Sequence, residues 1–278
     1  MLKQRVATAL IMAGLFVAGV IFLPLKALAA VFALLVLAGG WEWSRLAGWE
    51  SVVGRGLFVL VLGAVMLLLY VHCQLGEGPT RERVQPVLGL ACLWWSFALL
   101  WVKSYPGSAV MWSNSLMRSL IGLLILAPAW MAAVYLLSFP RGGLLVAIMV
   151  VVVAAADIGA YFAGKSLGKH KMAPEVSPAK TWEGFWGGVL AVILVGLLLW
   201  YLRPAHSAHI SLVSVLAVVL ATSLASVVGD LSVSMVKRES GAKDSGSLLP
   251  GHGGVLDRLD SLCGAAPVFA LGLLLAGW

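Results

Sequence analysis

Asp230, Lys237, Arg238, Lys243, Asp244, Asp257, Arg258 and Asp260 all fall within residues 229–261 of a chain that is only 11% charged. Carboxylates and cations gathered beside apolar segments are costly to keep near a membrane, which marks them for function. Two carboxylates with nearby hydroxyls suit Mg²⁺, a hard cation that takes oxygen ligands and uses few protein carboxylates alongside substrate phosphates. Asp230 and Asp257 are the candidate ligands, with Ser234 beside them. Lys237, Arg238, Lys243 and Arg258 supply charge that neutralises phosphate. Gly253 and Gly254 let backbone approach a ligand closely. His252 reads either as a substrate contact or as a hydrogen-bonded loop residue. His72, His170, His206 and His209 form no metal-ligand set.

Ser223, Ser226, Asp230, Ser234 and Lys237 recur at close to helical-turn spacing, so they share one face of a helix. Serines alone on such a face make a helix–helix seam; the added Asp230 and Lys237 favour a polar cavity. A second constellation is Asp157-Ile-Gly-Ala-Tyr161-Phe-Ala-Gly164, followed by Lys165, Gly168, Lys169 and Lys171. Asp157 and Tyr161 share a helix face. The open alternatives for Asp157 are a substrate contact and an ion pair that holds a bundle together. The third is Ser177-Pro178-Ala179-Lys180-Thr181-Trp182-Glu183-Gly184. Ser as cap and Pro at the first position predict a helix starting here, whose free N–H groups suit an anion. Lys180 adds a point charge, and Thr181 and Glu183 can cap or ligate.

The elements that must position these groups are membrane helices. The chain has 278 residues, 61% of them hydrophobic and 11% charged, against about 25% charged residues in an ordinary soluble domain. Apolar runs of roughly 20 residues, enough to span a bilayer, recur throughout. They are continuous rather than alternating, which argues against a β-barrel. The expectation is an all-α polytopic integral membrane helical bundle. Its spans are Val6–Leu23, Ala27–Trp43, Gly56–Cys73, Pro86–Val102, Leu116–Leu137, Gly142–Gly164, Gly184–Leu202, Ile210–Val236 and Leu259–Trp278. With the N-terminus cytoplasmic, nine spans put 14 of the 19 Lys and Arg on the cytoplasmic side, as the positive-inside bias requires. Ala27-Leu28-Ala29 resembles a signal-peptidase site, but an uncleaved first span is expected. Residues 1–137 read as a transmembrane scaffold, within which Glu42 and Arg45 are spaced to pair at a helix end. Residues 138–278 read as the catalytic region. Cys73, Cys92 and Cys263 are too scattered for a disulfide framework or zinc site. The net charge of +7 is read as basic cytoplasmic loops facing anionic lipid, not as a nucleic-acid surface.

The run Ser234, Lys237, Arg238, Lys243, Asp244, Gly246, Leu249, Pro250, Gly251, His252, Gly253, Gly254, Asp257, Arg258, Asp260 resembles, without a break, the signature S-x-x-K-R-x4-K-D-x-G-x2-L-P-G-H-G-G-x2-D-R-x-D of the phosphatidate cytidylyltransferase (CDP-diacylglycerol synthase) family. The segments around Asp157 and Ser177–Gly184 are also similar to that family; the first half matches only as a hydrophobic array. The resemblance implies transfer of the cytidylyl group of CTP to phosphatidate, giving CDP-diacylglycerol and pyrophosphate. It implies Mg²⁺ held by Asp230 and Asp257 with Ser234 nearby, K⁺ as a further cation, a homodimer, membrane lipids as surroundings, and a bacterial inner membrane with the site on the cytoplasmic side. The catalytic set expected is Asp230, Asp257, Lys237 and Arg238. The substrate-binding set is Asp157, Ser177, Lys180, Thr181, Lys243, His252, Gly253, Gly254 and Arg258. The alternatives are a CTP-dependent polyprenol kinase-like enzyme and an ion-coupled transporter with Asp157 and Asp230 at midplane sites.

Overall fold

The computed structural model describes residue 11 and residues 14–203, 210–248 and 253–277. Its elements in chain order are α1 Leu25–Leu46, α2 Val52–His72, α3 Arg81–Ser104, α4 Ala109–Trp112, α5 Ser115–Leu137, α6 Gly142–Leu167, β1 Lys171–Ala173, β2 Ser177–Thr181, α7 Trp182–Tyr201, α8 Leu212–Glu239 and α9 Leu256–Ala276. Residues 14–22 are also helical. All of the helices from α1 to α9 except the one-turn α4 are long and apolar enough to cross a membrane, eight among the described residues. The expected span Val6–Leu23 lies partly outside those residues. The protein is thus an all-α polytopic membrane protein.

The helix starts follow local chemistry. Ser51, Asn114, Thr181 and Ser211 each stand at an N-cap and accept a bond from the N–H three residues on, which satisfies a donor the helix cannot. The centre of the bundle is α5, with 72% of its most apolar stretch buried against 17% in α2. Trp43, Leu126, Met131 and Phe269 fill the core. The last helix, α9, packs against α8, α5, α3 and α1, while α6 and α7 form a tight pair. Outward positions such as Leu60, Leu67, Leu90, Trp186 and Leu190 are well exposed in the isolated chain, as a lipid-facing rim must be.

Two helices at the site approach unusually closely. A side chain at Gly229 would press on the Asp260 carbonyl oxygen, and one at Gly264 on the carbonyl of Ala225. Small residues at such a seam let backbones meet, and here they set α8 and α9 side by side, with Asp230 and Asp257 at the same end of the bundle. Other bonds gather further helix ends there. Glu239, at the end of α8, accepts a bond from Tyr105 Oη–H (3.3 Å) and pairs with Arg118 of α5 at 3.9 Å.

The structure corrects the sequence expectation for the third constellation. No helix starts at Ser177-Pro178. Residues Ser177–Thr181 form β2, antiparallel to β1, with Lys171 opposite Thr181 and Ala173 opposite Ser177. The helix begins only at Trp182, capped by Thr181 Oγ1, which accepts from Gly184 N–H at 3.2 Å. A two-stranded ribbon has only edge strands, where a proline is tolerated, and Thr181 out-competes Ser177 as cap.

Candidate active site

Asp230 sits on α8 and is held from two directions. Its Oδ2 pairs with Lys180 Nζ of β2 at 2.7 Å, and its Oδ1 accepts from Ser234 Oγ–H, one turn on, at 3.2 Å. Roughly a quarter of each side chain in the pair is exposed, 24% for Lys180 and 28% for Asp230. The ribbon that presents Lys180 is pinned at several points. Glu183 accepts bonds from the N–H groups of Lys169 and His170 and contacts His170 Nδ1 at 2.6 Å. Arg238 Nε donates to Val176 O at 3.1 Å, tying the ribbon's turn to the end of α8. Arg238, expected among the catalytic cations, is therefore also a clamp on the ribbon.

Beside this pair lies a cavity of about 200 Å³ lined by Asp157, Tyr161, Lys180, Thr181, Phe185 and Ser223, among others. Asp157 is within electrostatic reach of Lys180 and Asp230, so the structure unites the three sequence constellations at one place. A larger hollow of about 570 Å³ lies between α3 and α9, lined by Glu82, Gln85, Pro86, Gly89, Leu271 and Leu275. It shares no lining residue with the acid–base cluster. Of Ser223 and Ser226, only Ser223 lines the cavity; Ser226 Oγ–H donates to Ser223 O within its own helix.

Asp257 is enclosed more deeply. Its Oδ1 pairs with Lys237 Nζ at 2.8 Å, with 7% and 10% of the two side chains exposed. Its Oδ2 accepts from the N–H groups of Ser245 and Gly254, both at 2.9 Å. A buried pair of this kind is sustained only when the remaining lone pairs are also satisfied, and these two amides do that. Gly253 adopts φ +84°, and a side chain there would come 2.8 Å from Asp257 Oδ2. The turn before α9 therefore needs glycine at this position both for its backbone and for its closeness to the carboxylate. Asp260, one turn beyond Asp257, is buried and lies within electrostatic reach of Asp230, Asp257 and Lys237. The sequence places it in the charged cluster without assigning it a role, and its i, i+3 spacing from Asp257 puts it on the same helix face.

The site also draws on the first half of the chain. Glu42 of α1 is 3% exposed. It accepts bonds from Ser245 Oγ–H (2.9 Å), Val255 N–H (3.0 Å) and Leu256 N–H (2.9 Å). Arg45 Nη2 donates to Ser245 O at 2.7 Å. The expected Glu42–Arg45 pair is thus replaced by two separate holds on the same loop, more than 200 residues away in sequence for Glu42. The one signal for Glu42 was a carboxylate inside an otherwise apolar span.

Lys243 and Arg258 are exposed at the same end of the bundle, Ser177 opens β2, and Thr181 serves as a buried cap. His252 lies outside the described residues. Among the described residues no three His, Cys, Asp or Glu side chains form a metal-ligand group, so there is no all-protein cage. Asp230 with Ser234, and Asp257, are hard oxygen donors, engaged here by Lys180, Lys237 and the amides of Ser245 and Gly254. Their chemistry is the kind Mg²⁺ takes, bound by one or two carboxylates completed by water and phosphate.

The arrangement gathers two lysine–aspartate pairs and a small cavity at one end of a membrane bundle. A family model described as "Cytidylyltransferase family" matches residues 3–276. The chain is 45% identical over 279 residues to a phosphatidate cytidylyltransferase of Pseudomonas aeruginosa, covering all of this chain and 99% of the relative. It is 40% identical over 284 residues to one of Haemophilus influenzae, covering 97% and 98%. A phosphatidate cytidylyltransferase of Brucella suis is 49% identical over 132 residues, 48% of this chain and 47% of its own. With the family match and two relatives spanning nearly the whole sequence, this chain belongs to the cytidylyltransferase family and is a membrane-embedded nucleotidyltransferase.

Proposed function

We propose that the chain transfers the cytidylyl group of CTP to phosphatidate, giving CDP-diacylglycerol and pyrophosphate, at the cytoplasmic surface of a bacterial inner membrane. The observation that supports this most is full-length similarity to two proteins bearing that activity's name, joined to a site built around Lys180–Asp230 and Lys237–Asp257. A phosphate oxygen of phosphatidate attacks the α-phosphorus of CTP, the α–β phosphoanhydride bond breaks, and pyrophosphate departs. The attacking oxygen is anionic at neutral pH, so no strong general base is needed. The difficulty is bringing one polyanion onto another, which alignment and charge stabilisation relieve.

Lys180, on the cavity wall, is placed to bind a phosphate and orient it beside Asp230. Arg238 holds the ribbon that carries Lys180. Lys243 and Arg258, exposed at the same end, draw in the triphosphate. A cavity of about 200 Å³ is smaller than the roughly 300–1,000 Å³ of pockets that enclose a whole small ligand. The nucleotide therefore extends from it over the loop. Asp230, Ser234 and Asp257 would hold Mg²⁺, which when bound neutralises phosphate charge in the developing transition state. We further place a second copy of the chain beside the first, as the family resemblance implies.

The test uses purified full-length protein in detergent with CTP, phosphatidate and Mg²⁺, the lipid product being identified by mass spectrometry. CDP-diacylglycerol should appear and should cease with a chelator. Its absence at any divalent-cation concentration would remove this reading, and formation unaffected by chelation would remove the metal from it.

A further inference from the structure

Glu42 satisfies three donors at once, and all three belong to the loop and turn that place Asp257. Two are the N–H groups of Val255 and Leu256, at the entry to α9; the third is the Ser245 hydroxyl. The neighbouring N–H groups of Ser245 and Gly254 go instead to Asp257 Oδ2. The two carboxylates thus divide the amides of one turn between them, Glu42 from the α1 side and Asp257 from within α9. Ser245 is held three ways: its N–H by Asp257, its hydroxyl by Glu42, its carbonyl by Arg45. The fit leaves no slack, since a side chain at Gly246 or Gly254 would run into the Glu42 carboxylate. Three charge-assisted bonds to a buried acceptor are strong constraints. They reach across from a helix that contributes none of the groups proposed to touch substrate.

We infer that Glu42 is a positioning residue for cytidylyl transfer: it fixes Ser245 and the entry to α9 at Val255 and Leu256, and so the orientation of Asp257, from the N-terminal half of the chain. The inference rests on the reading of Asp257 as part of the active site. Loss of Glu42 leaves the Val255 and Leu256 amides and the Ser245 hydroxyl without their acceptor. The loop then samples arrangements in which Asp257 is misaligned, so the step that needs alignment slows while groups that capture CTP remain. Misplacement of this kind acts on kcat more than on KM.

Glu42→Gln keeps the shape but turns an NH₂ group toward donors. Two readouts are taken on the full-length protein: steady-state kcat and KM for CTP, and the mobility of a nitroxide on Ser247→Cys, an exposed loop position. The expected result is a kcat lower by about tenfold or more, in line with loss of bonds to a charged group. KM should stay within about threefold, in keeping with lost alignment rather than lost binding, and the nitroxide should become more mobile. A folded Glu42→Gln protein with wild-type kcat, or with an unchanged nitroxide spectrum, overturns the inference. Should Glu42→Gln not fold, Ser245→Ala removes one of the three bonds and leaves the backbone contacts in place. It should raise loop mobility and lower kcat, and a spectrum and kcat equal to wild type overturn the inference. If the wild-type protein itself makes no CDP-diacylglycerol, the functional reading has failed, and the nitroxide measurement still decides whether Glu42 fixes the loop.

Discussion

Lys180 and Lys237 each hold an aspartate at under 3 Å, but at different depths. The Lys237–Asp257 pair is nearly enclosed, and removing one member of such a pair strands a buried charge at a cost of about 3–5 kcal/mol. Lys180–Asp230 is about a quarter exposed, and pairs open to solvent contribute about 0–1 kcal/mol. Lys237→Ala should therefore lower the thermal midpoint in detergent far more than Lys180→Ala, while both lose most of their transfer activity. Equal midpoints would mean that the Lys237 pair is wetter than its geometry indicates. Asp257→Asn keeps an oxygen for the Ser245 and Gly254 amides but removes the charge. Turnover should fall about a hundredfold or more, as for loss of a charge-stabilising group, with the protein still folded. Near-normal activity would take Asp257 out of the site.

At the scale of elements, the loop before α9 is the sensitive part. Gly253 and Gly241 both have positive φ, +84° and +69°, but a side chain at Gly253 meets Asp257 whereas one at Gly241 meets nothing. Ala at either position costs about 1–2 kcal/mol of backbone strain. Only Gly253→Ala should also depress kcat strongly, with Gly241→Ala within a few fold of wild type; equal activities would show that the Gly253 contact does not matter. The spans from α1 to α9 were readable to within a few residues, because a bilayer demands long unbroken apolar runs and these leave a direct trace. The ribbon Lys171–Thr181 was not readable. Its strands have three and five residues, contain Pro178 and lysines, and persist through the clamps from Glu183 and Arg238 rather than through strand-forming residues. The cluster at Asp230 and Asp257 was legible from the charge gathered within residues 229–261. Glu42 was not, because its partners follow it by more than 200 residues and only packing of α1 on α9 brings them together.

For the whole molecule, the ends of α1, α3, α6 and α8 and the starts of α5, α7 and α9 meet at the acid–base end. The loop joining α2 to α3 lies at the other end. We propose that the acid–base end faces the cytoplasm, the side favoured by the bias of basic residues. A cysteine at Ser247 should then be labelled by an impermeant maleimide only after spheroplasts are opened, and one at Glu77 before opening. The reverse pattern would invert the orientation. In the proposed reaction the α-phosphorus of CTP is transferred to phosphatidate. The most direct test gives the purified protein phosphatidate, Mg²⁺ and CTP labelled at the α- or the γ-phosphate in parallel, and follows each label. Cytidylyl transfer predicts α-label in the lipid and γ-label in pyrophosphate. Appearance of the γ-label in a lipid would contradict it in favour of a kinase, and movement of neither label would contradict it in favour of a protein that does not turn CTP over.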